Sequence, residues 1–365
     1  MAEMRPDHTA NNKRVVVAMS GGVDSSVAAA LLVAQGYEVI GMMLRLWSEP
    51  GKQAANRCCT PESMHLARRV AARLGIPFYA IDIQDQFYET IVTGFIDGYA
   101  QGITPNPCLQ CNRSIRFGLL LEHARAAGAD LLATGHYARV QQLPDSRYQL
   151  LRGLDPGKDQ SYVLSVLNQD QLAHALFPVG NYQKSEIRRL AEQYQLPVAR
   201  RSDSQDLCFL AGDDYRNFLT RNAPQINLPG KILNTNGDIL GEHRGLANYT
   251  IGQRKGLGIA ASEPLYVLAK DRQSNDLIVG TSRELGQQEL VAGRINWINP
   301  DIPIDGKRVG VKIRYQAREV SGTLTQLDDQ IVRVNFDQPL RDITPGQAAV
   351  FYDADLCLGC GIISP

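Results

Sequence analysis

An α/β domain built on a parallel sheet, followed by a small central domain and a C-terminal antiparallel β-barrel, is the architecture this sequence predicts. Three observations carry it. Up to about residue 210, short apolar runs alternate with helical patterns, the signature of strands joined by covering helices. From Ala211 the texture turns Gly- and Asn-rich, as in "LPGKILNTNGDILGEHRGLANYTIGQRKGLGI". From Leu265 come short alternating runs such as "YVLAKD", "DLIVG", "VGVKIRY", "IVRVNF" and "AAVFYD", the pattern of half-buried strands. The expected divisions are residues 1–210, 211–264 and 265–365. A chain of 365 residues is longer than one core ordinarily serves.

Strands are expected at Arg14–Met19, Glu38–Leu44, Pro77–Ile81 and Asp130–Thr134. A helix should run from Ser25 to Gln35 and stop at Gly36. A second has Thr60 as its cap, Pro61 at the first helical position and Gly75 as its stop. Ile115–Ala127 is also helical in pattern, and "TNGD" is a hairpin turn signal. The opening "MAEMRPDHTANNKR" lacks the apolar stretch of a secretory signal and is expected to be a frayed tail. No apolar run approaches the roughly 20 residues a membrane helix needs, so no membrane partner is expected. The 38 basic and 38 acidic residues cancel, which neither favours nor excludes a nucleic-acid partner, since a local basic surface suffices. Seven cysteines in a chain of this kind imply reduced thiols used for catalysis or metal binding, in a cytoplasmic setting, and not a disulfide scaffold.

The loop between the first strand and the first helix, "MSGGVDSS", holds the strongest chemical signal. In open parallel sheets, ligands collect where loops leave the carboxyl ends of strands. Gly21 and Gly22 let the backbone approach a bulky anion, and the amides opening the helix point toward it. Asp24 is suited to hold Mg²⁺ against phosphate oxygens. Ser25 and Ser26 add hydroxyl donors, unless one of them simply caps the helix. The loop lacks the lysine that grips terminal phosphates in phosphoryl-transfer loops, which points to pyrophosphate as a leaving group and chemistry at the α-phosphate.

S-G-G-x-D-S-S resembles the PP-loop of the ATP pyrophosphatases, which adenylate a carbonyl or carboxylate oxygen. The cysteines narrow the choice. "TPNPCLQCNRSIRFG" sets Cys108 and Cys111 at a helix start near Arg113 and Arg116, where a thiolate is favoured. "SDSQDLCFL" sets Cys208 after a polar, turn-forming stretch, as suits an exposed thiol. Taken singly, each cysteine reads better as a small buried residue; three of them in polar loops of the domain that carries the nucleotide loop reverse that reading. "SGGVDSS", "PNPCLQCN", "ATGHYAR", "GKDQSYVL", "SQDLCFL", "YTIGQRKGLGI", "VKIRYQ" and "TPGQAAVFYD" together resemble the tRNA 2-thiouridylases, the MnmA/TrmU family, over nearly the whole chain.

That resemblance implies an adenine nucleotide alpha hydrolase-like first domain and an enzyme that makes 2-thiouridine at the wobble position of Glu-, Gln- and Lys-type tRNAs. ATP and Mg²⁺ would activate the base, and a cysteine desulfurase or sulfur-relay protein would supply persulfide. Ala18, Met19, Ser20, Gly21, Gly22, Val23, Asp24 and Ser25, with Leu44 and Gly135, would line the ATP pocket. Cys111 matches the nucleophile and Cys208 the persulfide carrier, with a Cys111–Cys208 disulfide left after each turnover. Asn106, Pro107 and Cys108 match the segment against the target base. His136, Lys158, Asp159, Gln160, Arg314, Tyr315 and Gln347 match tRNA-contacting positions. Where Cys108 stands, many relatives carry an aspartate thought to transfer a proton, so that role is open here. Cys108, Cys111 and Cys208 also resemble the ligand set of tRNA thiolases that hold a [4Fe–4S] cluster, and that route stays open beside the persulfide route.

Other readings leave features without a role. A small-molecule adenylating ligase, such as an argininosuccinate synthetase relative, has no use for the cysteines or the barrel. A non-catalytic RNA-binding or iron–sulfur carrier has none for the nucleotide loop. Cys357 and Cys360 in "DLCLGCGII" are expected in a terminal strand, not in a zinc site. Cys58 and Cys59 are not expected to ligate as a pair, and His65 is expected on the surface. "GQRKG" and "VKIRYQAR" are candidate phosphate contacts, with Tyr249 or Tyr315 available to stack on a base.

Overall fold

The computed structural model describes residues 13–52, 60–202 and 207–365. Cys58 and Cys59 and the N-terminal tail lie outside the described residues. The chain forms two compact units.

The first unit comprises residues 13–90, Cys108–Gly212 and Asp355–Cys357. Its sheet contains β1 (Arg14–Ala18), β2 (Glu38–Arg45), β3 (Phe78–Asp82) and β4 (Leu131–Ala133). These are the four expected strands, with ends shifted by a residue or so. An antiparallel hairpin follows, β5 (Ala138–Gln142) with β6 (Tyr148–Arg152), and then the two-residue β7 (Ala175–Leu176). All five strands of the main sheet are parallel, in the order β3-β2-β1-β4-β7. Val15, Val16 and Val17 of β1 are wholly buried, as a β-branched run at the centre of a covered sheet should be.

Helix α1 (Val23–Ala34) packs with α2 (Pro61–Leu74) and the helix Lys184–Gln193 in one core, where Val27, Val70, Ile187 and Ala191 are all fully buried. The α2 signals act as expected. The Thr60 side chain accepts the Ser63 N–H, Pro61 opens the helix, and Gly75 ends it at φ 68°. His65 is exposed on α2. The chain leaves β1 toward β2, and β4 then lies on the opposite side of β1. The strand order thus reverses between β1 and β4, and such sheets bind ligands beyond the carboxyl ends of strands at such a reversal.

The second unit comprises Ile91–Pro107, Asp213–Ala354 and Leu358–Pro365. Its smaller sheet runs β10-β11-β8-β9 and comprises β8 (Gly230–Leu233), β9 (Ile239–His243), β10 (Tyr266–Asp271) and β11 (Asp276–Gly280). The predicted turn joins β8 to β9, with the Asn234 carboxamide oxygen accepting the N–H groups of Asn236 and Asp238 and Gly237 at φ 87°.

Six strands then close into a barrel: β12 (Gln287–Trp297), β13 (Arg308–Lys312), β14 (Val320–Asp328), β15 (Ile331–Leu340), β16 (Ala348–Asp353) and β17 (Leu356–Ile363). The β12–β17 pairing, with Ala292 opposite Ile363, closes these six strands into a ring. Cys357 and Cys360 are buried in β17, as expected of a terminal strand.

Two expectations need correction. Strands β10 and β11 were expected in the barrel. They instead join the smaller sheet, β10 pairing with β11 and β11 with β8, and their Val267, Leu277 and Val279 form a core with Ile232 and Leu246. Alternation reports one buried face but not which sheet supplies the cover. Tyr249 was one of two tyrosines, with Tyr315, available to stack on a base. It is only 6% exposed and packs edge-on to His243 in that same core.

Candidate active site

The Ser20–Ser26 loop follows the carboxyl end of β1, at that reversal. Gly21 takes φ 69°, and a Cβ there would meet the Ser63 carbonyl oxygen at 2.4 Å, so only glycine fits. Gly22 occupies the N-cap of α1 without a side-chain cap, leaving the first-turn amides to other partners. The serines brace the loop. Ser26 Oγ donates to the Gly22 carbonyl at 2.7 Å, and Ser25 Oγ accepts the Ser20 N–H at 3.2 Å. Both are buried with their hydroxyls bonded within the turn, and neither caps α1. At the end of β4, Gly135 lies against the loop: a Cβ there would be 2.5 Å from Ser25 N and 2.8 Å from Asp24 C. The expected grouping of the loop with Gly135 therefore has a direct steric basis.

Two residues that sequence reasoning missed complete the loop's surroundings. Lys184 Nζ lies 2.7 and 2.9 Å from the two oxygens of Asp24, and Tyr137 Oη donates to Asp24 Oδ1 at 2.7 Å. A divalent cation would compete with the ammonium for this carboxylate, so Asp24 fits Mg²⁺ conditionally. Arg201 donates to the Gly21 carbonyl at 2.6 Å and to Ser63 Oγ at 2.8 Å. It thereby fastens the loop to the start of the segment that leads to Cys208.

The cysteines differ in setting. Cys108 is exposed on the short helix Pro107–Gln110, whereas Cys111 is buried at the start of the π-helix Cys111–Leu120. The expected regular helix over Ile115–Ala127 is thus partly wide-wound, a feature frequent at functional sites. Gln171 Nε2 supports the wide turns by donating to the carbonyls of Arg113 and Phe117 at 2.9 and 2.8 Å. Cys208 is half-buried on a single 3₁₀ turn, Cys208–Leu210, and Phe209 fills the core edge-on to Phe87. It is more anchored than an exposed loop thiol. Among the described residues, no three His, Cys, Asp or Glu side chains are grouped to hold a metal ion. The three thiols as placed do not fit an iron–sulfur cluster.

His136 is 8% exposed. Arg116 Nη1 lies 3.0 Å from its Nε2 and 3.0 Å from Asn112 Oδ1, while Thr134 Oγ1 lies 2.7 Å from Nδ1. Guanidinium only donates, so Nε2 accepts and Nδ1–H donates to Thr134. Burial first, and the Arg116 charge second, hold the imidazole neutral well below its ordinary pKa. This differs from the expected tRNA-facing histidine.

The sign of its pH effect follows. Below the unfolded value near 6.5, unfolded chain binds a proton that the native ring refuses, so stability present above that pH is lost on acidification. Denaturant titrations at pH 7.5 and 5.5 should show His136→Gln losing less stability than wild type, by up to about 1.4 kcal/mol per pH unit. Equal losses would show that this ring does not set the acid sensitivity.

The remaining expected RNA positions divide likewise. Asp159 is buried and accepts from Gly153 N, Ser161 N and Ser161 Oγ. Gln160 Oε1 accepts the Tyr137 N–H at 3.0 Å, and Lys158 stays half-exposed beside them. In the second unit, Arg314 Nη2 binds the carbonyls of Ile251 and Asp342, and Tyr315 beside it is half-exposed. Gln347 Nε2 donates to the Thr104 carbonyl at 2.8 Å, bracing the segment that leads into Asn106 and Pro107.

Three family models match in succession: a tRNA methyl transferase HUP domain over residues 13–212, a tRNA methyl transferase PRC-barrel domain over 216–281, and an aminomethyltransferase beta-barrel domain over 287–363. The tRNA-specific 2-thiouridylase MnmA 1 of Caldanaerobacter subterraneus subsp. tengcongensis is 48% identical over 356 residues, covering 96% of this chain and 98% of the relative. The tRNA-specific 2-thiouridylase MnmA of Moorella thermoacetica is 49% identical over 353 residues, covering 95% and 98%. That of Magnetococcus marinus is 47% identical over 353 residues, covering 96% and 99%. With all three domains matched in order and near-half identity from end to end, the chain belongs to the tRNA-specific 2-thiouridylase family, MnmA.

Proposed function

We propose that this chain is a tRNA-uridine 2-sulfurtransferase that adenylates the 2-carbonyl oxygen of a wobble uridine with ATP and then replaces that oxygen with sulfur. The family's names support thiolation of tRNA. The observation that carries the nucleotide half is the uncapped, glycine-bent loop at the reversal of strand order, backed by the close approach of Gly135.

A uracil 2-carbonyl resists substitution because oxide is a very poor leaving group. Attack of that oxygen on the α-phosphorus of ATP forms a P–O bond and expels pyrophosphate, and the oxygen can then depart as part of AMP. Sulfur arrives as a persulfide on Cys208 from a donor protein. The Cys111 thiolate attacks the Cys208 sulfur, forming a Cys111–Cys208 disulfide and expelling hydrosulfide. Hydrosulfide adds at C2, AMP leaves, and loss of a proton gives 2-thiouridine. An external thiol must reduce the disulfide before the next turnover. Asn106, Pro107 and Cys108 would meet the base, while Lys158, Tyr315 and Arg314 would meet the RNA backbone. Mg²⁺ bound at Asp24 would screen phosphate charge, and no step above depends on a cluster.

Pyrophosphate release tests this reading. It should require tRNA with uridine at the wobble position and stay at background with a cytidine-substituted tRNA. Equal release without RNA would overturn it.

A further inference from the structure

We propose that Lys184 is the phosphate-neutralising lysine of the nucleotide site, stored on Asp24 until ATP arrives. The proposal rests on the reading that the Ser20–Ser26 loop binds ATP, and adds a residue to it. The loop has no lysine of its own, and it carries a carboxylate. A carboxylate beside a polyphosphate repels it, so the loop needs a cation to accept one. Lys184 is positioned to be one.

Its Nζ bridges both Asp24 oxygens at 2.7 and 2.9 Å and lies 5.9 Å from the centre of the Tyr137 ring. The Lys184 side chain is 13% exposed and that of Asp24 31%, so the pair is partly open to solvent and not deep in the core.

The backbone of Lys184 is held from three directions. It opens the helix Lys184–Gln193, its N–H donates to Asp155 Oδ2 at 2.9 Å, and Gln183 with Glu186 forms a reciprocal capping box ahead of it. Ile187, one turn on, is fully buried in the core shared with α1. A fixed Cα beneath a four-carbon stem suits an ammonium that moves a few ångströms while its helix stays still. When phosphate or a divalent cation competes for the pair, Nζ turns from Asp24 onto the β- and γ-phosphate oxygens. There it neutralises charge that grows as pyrophosphate departs. A lysine from a different element thus fills the place that phosphoryl-transfer loops fill from within.

The test compares wild type, Lys184→Met and Lys184→Arg by calorimetric titration with ATP and, separately, with AMP, in Mg²⁺ and saturating tRNA. Thermal unfolding midpoints check each fold. AMP lacks the β- and γ-phosphates and serves as the internal control. Lys184→Met should bind ATP about 10- to 100-fold more weakly than wild type and bind AMP unchanged, with Lys184→Arg recovering part of the ATP affinity. Parallel losses for ATP and AMP would mean that Lys184 only holds the loop in shape, and unchanged ATP affinity would mean that it has no role there. Either result overturns the proposal while leaving ATP use intact. Failure of wild type to bind ATP would instead overturn the nucleotide reading, and this proposal with it.

Discussion

Cys111→Ser and Cys208→Ser should each lower 2-thiouridine formation by at least about a thousandfold while leaving tRNA-dependent pyrophosphate release largely standing. Serine nearly matches cysteine in size, but its hydroxyl neither carries a persulfide sulfur nor attacks one at neutral pH. The settings favour intact folds. Cys208 sits on a turn whose anchor is the buried Phe209, and Cys111 opens a π-helix held by Gln171 from outside. Nucleoside mass spectrometry of the tRNA and a coupled pyrophosphate assay read the two halves separately. Cys108→Ser discriminates further. With Cys108 exposed and the three thiols not grouped around a metal position, thiolation should survive that change. Full thiolation by Cys111→Ser or Cys208→Ser would contradict the sulfur route.

Gly135→Ala should be the most damaging single-methyl change in the nucleotide site. The added carbon would lie 2.5 Å from Ser25 N, 2.8 Å from Asp24 C and 3.0 Å from Ser25 Cα, all backbone atoms of the loop. No side chain can rotate away to relieve that overlap. Either β4 withdraws or the loop shifts by roughly an ångström, a displacement that costs on the order of a hundredfold in a positioned site. A stability loss of about 1–3 kcal/mol accompanies such overpacking. ATP titration and denaturant unfolding measure both effects, and normal ATP affinity would show that the loop's position is not critical.

The parts of the fold legible in the sequence were those with local causes. The valines of β1, the Thr60–Pro61 start of α2 and the Asn234–Asp238 turn each follow from neighbours in the chain. The pairing of β10 with β11 and of β11 with β8 was not legible, because alternation is identical in a barrel and in a four-stranded sheet. The site divides in the same way. The glycines announced a loop shaped for an anion, but Lys184 reaches Asp24 across 160 residues of sequence and reads locally as the start of a surface helix. "ATGHYAR" gave no sign that His136 turns inward to Arg116 or that Tyr137 turns to Asp24. Gln347 acts on the segment before Asn106 through Thr104, a contact visible only once the barrel is closed.

When uracil's own oxygen leaves on AMP, an oxygen label in the base travels with it. Wobble uridine carrying ¹⁸O at O2 is incubated with enzyme, Mg²⁺, ATP and a persulfide donor, and the AMP is analysed by mass spectrometry. One ¹⁸O per AMP, matched by one 2-thiouridine formed, is the predicted result. Unlabelled AMP, with the heavy oxygen recovered in water or retained in the base, would contradict it.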